Sequence, residues 1–278
     1  MTNIIAFQGE LGANSHIACL EARPDWTPLP CATFEDCFAA VSDGSAQLAM
    51  IPIENSIAGR VADIHHLLPE SGLTIVGEHF LPIHFHLLGV PGATLGDVKF
   101  VRSHIHALGQ CRNIVRRHGY KTVVAGDTAG SAREIAELGD KAHASLAPPI
   151  AATIYKLDVL AENVEDEHHN TTRFILLARE GEWPEPEDGA CITSFIFRVR
   201  NVPAALYKAM GGFATNNVNM HKLESYQLEG SFTATQFYAE IDGHPHEANV
   251  GRALEELSFF SSQFSILGVY PKAAFRKA

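Results

Sequence analysis

Residues 180–189 divide the chain into two parts with different patterns of hydrophobic residues. This segment, EGEWPEPEDG, contains two prolines, two glycines and five acidic residues, a composition typical of a solvated linker. Before it, short apolar runs alternate with helical patterns, and after it the order of elements changes. We therefore expect the 278 residues to form two domains, at 1–179 and 191–278, joined by a linker at 180–190.

The first part is predicted to be an α/β domain. Short apolar runs predict strands at 4–7, 48–53, 122–125 and 142–146. Helical patterns separate these runs, and the chain then returns to a strand at 174–178. We therefore expect two lobes, roughly 1–80 with 160–179 and 81–159, with a substrate in the cleft between them.

The second part has the order strand, helix, two strands, helix, strand. Phe195, Phe197 and Val199 recur at every second position and predict a half-buried strand. Helical stripes follow at Leu206, Met210 and Phe213, and at Val250, Ala253, Leu254 and Leu257. A hairpin is predicted across Glu229 and Gly230. This βαββαβ order predicts a ferredoxin-like α+β domain, whose small core is expected to need a partner copy.

Polar side chains lie next to two of the predicted core strands. Asn170, Thr171, Thr172 and Arg173 precede the strand at 174–178, and Glu54, Asn55 and Ser56 follow the strand at 48–53. Threonine offers a neutral donor, and arginine offers a fork of donors suited to a carboxylate. The functional interpretation is a ligand site at strand ends. The alternative is that these residues only cap a strand and a helix, with Arg173 on the surface.

A glycine-containing loop, residues 8–15, follows the first predicted strand and leads into a helix. Free backbone N–H groups at a helix start favour an anion. The spacing of the glycines matches neither a nucleotide-binding P-loop nor a dinucleotide fingerprint.

Charge and cysteine content exclude several classes of function. The net charge of −11 makes binding to nucleic acid or to an anionic membrane unexpected. The five cysteines include no Cys-x-x-Cys pair, and no basic signal region precedes the first strand, so we expect a cytoplasmic protein. No histidine pair has a third ligand at metal-like spacing, so we expect no metal site.

Several stretches in the same order along the chain resemble the prephenate dehydratases. They are GELGANSHIAC at 9–19, IPIENSIAGRV at 51–61, SHIHALGQC at 103–111, DTAGSA at 127–132 and HHNTTRF at 168–174. The final βαββαβ unit, with KLESYQ at 222–227, resembles the ACT regulatory domain. Each motif is weak alone, but together they cover nearly the whole chain.

The resemblance implies that prephenate loses CO₂ and water to give phenylpyruvate, with no metal and no cofactor. It implies a two-lobed catalytic domain like a periplasmic binding protein, an ACT domain that binds L-phenylalanine as feedback inhibitor, and a homodimer or homotetramer. Thr172 matches the family's catalytic threonine. The substrate-binding residues implied are Glu54, Asn55, Ser56, His104, Thr128, Asn170, Thr171 and Arg173. Because neighbouring strand residues point to opposite faces, Thr172 and Arg173 reach one substrate only if the strand has not begun there.

The resemblance also implies an effector site in the ACT domain, with two departures from the family pattern. The implied contacts are Ala205, Leu206, Asn217, Glu224 and Ser225. Ala204 stands where the family has glycine, and Tyr226-Gln227 replace Arg-Pro. The added methyl group is expected to restrict the approach of the backbone to the effector.

Two other functions fit the same residues. One is an arogenate dehydratase, which performs the same chemistry on an aminated side chain, because a single side-chain contact can decide the preference. The other is a two-lobed amino-acid sensor without catalysis. No chorismate mutase helix bundle precedes the first strand, so we do not expect a bifunctional chain of that kind.

Overall fold

The computed structural model describes residues 3–200, 202–227 and 234–277. By the density of contacts the chain divides into two compact units. One comprises Met1–Val61 and His79–Phe174, and the other Ala62–Glu78 and Ile175–Ala278. This division differs from the domain boundaries suggested by the linker at 180–190, and those boundaries stay a prediction.

The described residues form fifteen strands and nine α-helices. Up to residue 178 they are β1 (Ile4–Gln8), α1 (Asn14–Ala22), β2 (Thr27–Cys31), α2 (Phe34–Asp43), β3 (Leu48–Asn55), β4 (Gly59–Arg60), α3 (Ala62–Leu67), β5 (Thr74–Pro82), β6 (His86–Gly89), β7 (Phe100–Ser103), α4 (Ile105–Gln110), α5 (Arg112–His118), β8 (Lys121–Val124), α6 (Thr128–Leu138), β9 (His143–Ala147), α7 (Pro149–Tyr155), β10 (Asp158–Ala161) and β11 (Thr171–Ala178). After it come β12 (Cys191–Val199), α8 (Ala205–Thr215), β13 (Met220–Gln227), β14 (Ala234–Asp242), α9 (Ala248–Phe260) and β15 (Ser261–Pro271).

Two sheets are built from the strands up to residue 178. The first has the order β2-β1-β3-β11-β5, with β4 beside β3, and the second has the order β10-β6-β9-β7-β8. In the first sheet β1 is parallel to β2 and β3, and in the second β7 is parallel to β8 and β9. Helices connect these strands, so the predicted α/β architecture is confirmed. The sequence did not predict β2, which contains two prolines and pairs with β1 at the edge of its sheet, where proline is tolerated.

Helix ends follow local signals where the cap is near in sequence. The hydroxyl group of Thr33 accepts a hydrogen bond from the N–H of Asp36, and the carboxylate of Asp36 accepts one from the N–H of Thr33. Gly44 ends α2 in the left-handed conformation, with φ of 86°. The sequence predicts this helix with Thr33 as its N-cap and Gly44 as its end, and the structure confirms both.

The sequence at 103–108 predicts a helix that continues through Arg117. This prediction is wrong, because the chain breaks at Cys111 into α4 and α5. The carboxylate of Asp166 accepts hydrogen bonds from the backbone N–H groups of Arg112 and Asn113, at 2.9 and 3.0 Å. A distant side chain therefore satisfies the start of a second helix. A local sequence pattern carries no information about that cap.

The C-terminal sheet has the order β13-β14-β12-β15, and all its pairs are antiparallel. Residues of α8 and α9 pack on one face, where Phe195, Phe213, Ala239 and Leu254 lie in one core cluster. The predicted ferredoxin-like βαββαβ unit is confirmed. The predicted hairpin turn at Glu229 and Gly230 lies outside the described residues.

The prediction that β12 is half-buried is wrong. Thr193 and Ser194 are 0% exposed and Ile196 is 4% exposed, so both faces of the strand are covered. Part of the reason is the approach of β5 to β15, since a Cβ atom on Gly268 would lie 2.1 Å from the carbonyl oxygen of Ile75. Residues 62–78 thus belong with the C-terminal sheet in one unit.

Candidate active site

Asn55 is the centre of a hydrogen-bond network where β3 and β11 run side by side. Its Oδ1 accepts hydrogen bonds from the backbone N–H groups of Ile57 and Ala58, at 3.0 and 2.8 Å. Its amide nitrogen therefore faces the other way and donates to Asn170 Oδ1 at 2.7 Å and to Thr172 Oγ1 at 2.9 Å. Asn55 therefore forms a turn with its own side chain, and this turn fixes the orientation of its side-chain amide. It does not cap a helix, which was the alternative predicted from the sequence.

The hydroxyl group of Thr172 is oriented by this network. A hydroxyl group has one proton to donate and two lone pairs that accept. Because the oxygen of Thr172 accepts from Asn55, its own proton is left for another acceptor. Thr172 is half-buried, so a ligand oxygen at this strand end can receive that proton.

Ser56 has a different role from Thr172. Its hydroxyl group donates to the carbonyl oxygen of His169 at 2.8 Å and accepts from the N–H of Thr171 at 2.9 Å. The backbone N–H of Ser56 donates to the carbonyl oxygen of Thr171 at 2.9 Å. Ser56 therefore braces the start of β11 with its hydroxyl proton already engaged, and Thr171 contributes backbone groups to the same brace.

Arg173 lies on the other face of β11 from Thr172. Both residues are inside the strand, so the condition under which they would reach one substrate together is not met. The guanidinium group of Arg173 is 2% exposed, and its Nη1 donates to Glu54 Oε1 at 2.9 Å. It also lies 5.9 Å from the centre of the Phe80 ring. The Glu54 side chain is 33% exposed, so this pair has access to water on the side of the carboxylate.

Asn170 connects the network to α4. Its side chain is buried, its Oδ1 accepts from Asn55, and its Nδ2 donates to Gln110 Oε1 at 2.9 Å. Gln110 was not a predicted site residue. The only sequence signal for it was its position inside the family-like stretch at 103–111.

His104 and Thr128 lie at helix starts. The Nδ1 of His104 accepts from the N–H of His106 at 3.3 Å, and Asp127 caps α6, whose first residue is Thr128. Burial lowers the pKa of the His104 imidazole, which favours its neutral form. In the residues with described positions, the hydrogen bonds of His104 and Thr128 join neither of them to Asn55 or Thr172.

The predicted glycine loop lines a cavity of about 520 Å³. Its walls are formed by Gln8, Gly9, Glu10, Leu11, Pro30, Cys31, Ala32, Asp127 and Tyr155. Arg133 donates to both carboxylate oxygens of Glu10, at 2.8 and 3.0 Å, and the Tyr155 hydroxyl group donates to the carbonyl oxygen of Leu11 at 2.6 Å. Neither Arg133 nor Tyr155 was predicted from the sequence as a site residue.

Two carboxylates of this cavity, Glu10 and Asp127, have pKa values shifted in opposite directions. The hydrogen bonds from Arg133 lower the pKa of Glu10, whereas burial raises the pKa of Asp127. The N–H of Gly12 donates to His16 Nδ1 at 3.0 Å, so it is already used within the loop. An anion in this cavity would lie close to the carboxylates of Glu10 and Asp127. Anion binding by the loop at residues 8–15 therefore stays a prediction.

A second cavity, of about 490 Å³, lies beside the turn that Asn55 organises. It is lined by Ile57, Ala58, Ile105, His106, Leu108, Gly109, Gln110, Arg112, Thr122 and Val124. Most of this lining is apolar, and among the described residues that form it Arg112 is the one arginine or lysine. It therefore suits a ligand with an apolar part and a negative charge.

The predicted effector residues lie in the C-terminal unit. Ala205 and Leu206 begin α8, Asn217 has a left-handed conformation with φ of 53° just after it, and Glu224 and Ser225 lie on β13. Ala204 is the N-cap of α8 and also has a positive φ, of 61°. A glycine would adopt this conformation without strain, whereas alanine does not.

The described residues contain no group of three or more His, Cys, Asp or Glu side chains arranged to hold a metal ion. The nine described helices include none long and apolar enough to cross a membrane.

Comparisons with known proteins agree on one family. The family model for prephenate dehydratase matches residues 5–182. A bifunctional N-acyl-homoserine lactone acylase/prephenate dehydratase of Komagataeibacter europaeus is 53% identical over 99% of this chain and 98% of its own length. Arogenate dehydratase/prephenate dehydratase 1 of Arabidopsis thaliana is 37% identical over 96% of this chain and 71% of its own length. The crystal structure of the Arthrobacter aurescens prephenate dehydratase in complex with L-Phe superimposes with a TM-score of 0.88 at 33% identity, covering 97% of this chain and 90% of that one.

Proposed function

Because the chain belongs to the prephenate dehydratase family of lyases, we propose that it converts prephenate to phenylpyruvate, with loss of CO₂ and water. The observation that carries this proposal is the Thr172 hydroxyl group. Asn55 holds its oxygen as an acceptor, so its proton is directed to a ligand. No metal and no cofactor enters the proposed reaction.

In the proposed reaction the main contribution of the protein is to stabilise the negative charge that develops on the departing oxygen. As the ring carboxylate leaves as CO₂, its electron pair enters the ring, the C–O bond breaks, and the departing hydroxide takes up one proton to become water. Thr172 donates a hydrogen bond to that oxygen and stabilises the developing negative charge. Threonine is a very weak acid, so the proton delivered to hydroxide comes through the hydrogen-bond network with solvent as its source.

The remaining predicted residues have distinct roles in this proposal. Asn55 and Asn170 orient Thr172, and Ser56 and Thr171 brace the turn beside it. Arg173, on the opposite face, positions Glu54 and so the neighbouring Asn55, which is an indirect role. Direct contact of Arg173 with a substrate carboxylate stays a prediction, and so do substrate contacts of His104 and Thr128.

Phenylalanine regulation belongs to the same proposal. The relative from A. aurescens was solved in complex with L-Phe. We assign the effector to Ala205, Leu206, Asn217, Glu224 and Ser225, at an interface between the ACT-like units of a homodimer or homotetramer. The strained Ala204 at the start of α8 is expected to weaken the binding compared with a glycine.

Two further activities are tested together with this one. Arogenate is an alternative substrate, because the relative from A. thaliana carries both dehydratase names. Hydrolysis of N-acyl-homoserine lactones is a second candidate activity, supported by the 53% identity to the K. europaeus relative and by the largely apolar cavity at Ile57 and Leu108. A third reading, a sensor without catalysis, predicts phenylalanine binding and no turnover.

The deciding experiment measures phenylpyruvate formation from prephenate by the wild type, Thr172→Ala and Thr172→Ser. We expect Thr172→Ala to lower kcat by about 10²- to 10³-fold, as for the loss of one transition-state donor, with KM changed less than about threefold. Thr172→Ser keeps a hydroxyl group and is the matched control. A large KM change with kcat intact would contradict the role of Thr172.

The other activities have separate readouts on the same preparations. Turnover of arogenate without turnover of prephenate would keep the mechanism and change the substrate. Release of homoserine lactone from an N-acyl-homoserine lactone would establish the acylase activity, and its absence would remove that candidate. Absence of all three reactions, with phenylalanine still bound, would favour the sensor.

A further inference from the structure

A buried cluster of charges joins the C-terminal segment to two strands. The guanidinium group of Arg276 donates to Glu78 through Nε at 2.8 Å and through Nη2 at 2.9 Å, and Nη2 also donates to Glu240 at 2.7 Å. The side chains of Glu78 and Glu240 are 0% exposed, and that of Arg276 is 11% exposed. The N–H of Ala273 also donates to Glu78, at 3.1 Å.

Arg276 holds both glutamate side chains at once, so hydrogen bonds link the positions of the three side chains. A carboxylate that loses its hydrogen bonds from Arg276 here loses a charge-assisted contact at a site closed to water, which is unfavourable. The planar fork of Arg276 fixes the direction of both contacts, so a shift of Glu240 changes the position of Glu78. Nothing in the proposed catalytic cycle uses these residues.

One side of the cluster leads to the proposed effector strand. The hydroxyl group of Tyr238 donates to Glu240 Oε1 at 2.5 Å. In the pairing of β13 with β14, Tyr238 stands opposite Glu224, and Glu240 stands opposite Lys222. Lys222 lies 3.5 Å from Glu224 in an ion pair. Residues opposite one another on antiparallel strands share a face, so Glu224 lies on the same face as Tyr238 and Glu240.

The other side of the cluster leads to the proposed catalytic network. Glu78 and Phe80 are two positions apart on β5 and therefore lie on the same face of that strand. The Phe80 ring lies 5.9 Å from the Arg173 guanidinium group. Arg173 in turn holds Glu54, the residue before Asn55, which orients Thr172.

We propose that Arg276 is a positioning residue that transmits phenylalanine binding from β13 and β14, through Glu78 and β5, to Arg173 and the Asn55–Thr172 pair. The inference rests on the proposed function, because it supplies the connection between the effector and the reaction. These contacts provide a physical route for such a transmission, and a measured coupling between the two ligands is its proof.

The test measures the coupling directly. In the Thr172→Ala background, where turnover is slow, L-phenylalanine is titrated by calorimetry with and without saturating prephenate. Linkage requires that prephenate change the Kd of phenylalanine by the factor by which phenylalanine changes the binding of prephenate. With Arg276 in place we expect a change of about 5- to 150-fold, the usual range for allosteric coupling.

Glu240→Gln is the variant that breaks the route with the least damage. The glutamine side chain has the shape of glutamate and keeps an oxygen that accepts from Tyr238. The substitution leaves the contacts between Arg276 and Glu78 in place and removes the negative charge that pairs with Arg276 at position 240. We expect phenylalanine to bind with a Kd that prephenate changes by less than about twofold, while the melting temperature of the variant shows that it is folded. Arg276→Lys keeps the positive charge but loses the planar guanidinium group. We expect its coupling between prephenate and phenylalanine to lie between that of the parent and that of Glu240→Gln.

Lys272→Gln is the matched control. Lys272 forms an ion pair at 2.8 Å with Asp242, also in the C-terminal unit, and lies outside the route. We expect it to keep the full coupling. Coupling that is equal in Glu240→Gln and in its parent would overturn the inference while leaving the proposed function in place. A parent that binds no phenylalanine would overturn the regulatory half of the proposed function, and the inference with it.

Discussion

Arg173 and Arg276 are both held by glutamate side chains, but the glutamates differ in their access to water. Arg173 is 2% exposed and pairs with Glu54, which is 33% exposed. Arg276 is 11% exposed and pairs with Glu78 and Glu240, which are 0% exposed. Water reaches the Glu54 carboxylate, so the pair can reorganise around a ligand. The Arg276 cluster is closed, so it can transmit displacement but cannot readily exchange a partner.

The largest expected effect is on stability, at Arg276. Arg276→Gln removes the guanidinium group that pairs with two buried carboxylates, and we expect a loss of about 3–5 kcal/mol in the free energy of unfolding. Urea denaturation of the variant and the wild type measures this loss. A loss below about 1 kcal/mol would show that water enters the cluster, and the contrast with Arg173 would disappear.

Arg173→Gln is expected to lower stability less than Arg276→Gln does and to lower activity directly. Glu54 can rehydrate, so the loss of stability should be only about 1–2 kcal/mol, as for a hydrogen bond to a charged group. Activity should fall at least about tenfold in kcat, because Glu54 and Asn55 lose their fixed position. Steady-state kinetics and denaturation on the same sample provide the measurement. A rise in KM with kcat unchanged would instead support direct binding of a substrate carboxylate by Arg173.

Gly268 tests how closely β5 must approach the C-terminal sheet. Gly268→Ala would place a methyl group 2.1 Å from the carbonyl oxygen of Ile75, and we expect a loss of about 1–3 kcal/mol from the forced shift of backbone. Gly211 in α8 has open space around its Cβ position. Gly211→Ala, the control, is expected to stabilise the helix by up to about 1 kcal/mol. Thermal melts of both variants measure the two changes in stability. If Gly268→Ala changed the melting temperature no more than Gly211→Ala does, the close approach of the two strands would not be essential.

The smallest expected effect is at Ala204. Ala204→Gly removes a left-handed conformation that costs alanine about 1–2 kcal/mol, partly offset by the greater flexibility of glycine in the unfolded chain. We expect a gain of about 0.5–1 kcal/mol in stability. The same variant should bind L-phenylalanine more tightly in calorimetry, because the methyl group beside Ala205 is gone. Unchanged affinity would remove Ala204 from the effector site.

Several elements could be predicted because their causes are local. The capping box at Thr33 and Asp36 lies within four residues, and the stripes of α8 and α9 follow the helical period. The order βαββαβ and the family motifs followed from such patterns. The break at Cys111 could not be predicted, because Asp166 caps the second helix from 54 residues away.

The candidate site shows the same division. The sequence identified Asn55 and Thr172 as polar residues at strand ends, but only the fold brings them to 2.9 Å across 117 residues of chain. It also predicted Ser56 and Arg173 as donors to substrate, whereas the structure gives the Ser56 proton to a backbone carbonyl group and places Arg173 on the other face of its strand.

The sequence by itself determined the family, the α/β and ferredoxin-like classes, and the identity of Thr172 as the residue to test. Hydrophobic periodicity, caps and motifs are properties of a few neighbouring residues, so a chain read alone reveals them. Only the tertiary structure decided that Asn55 orients Thr172 and that Arg276 meets Glu78 across 198 residues. The physical reason is that hydrogen bonds and buried ion pairs depend on distance in space, which strand pairing and packing set.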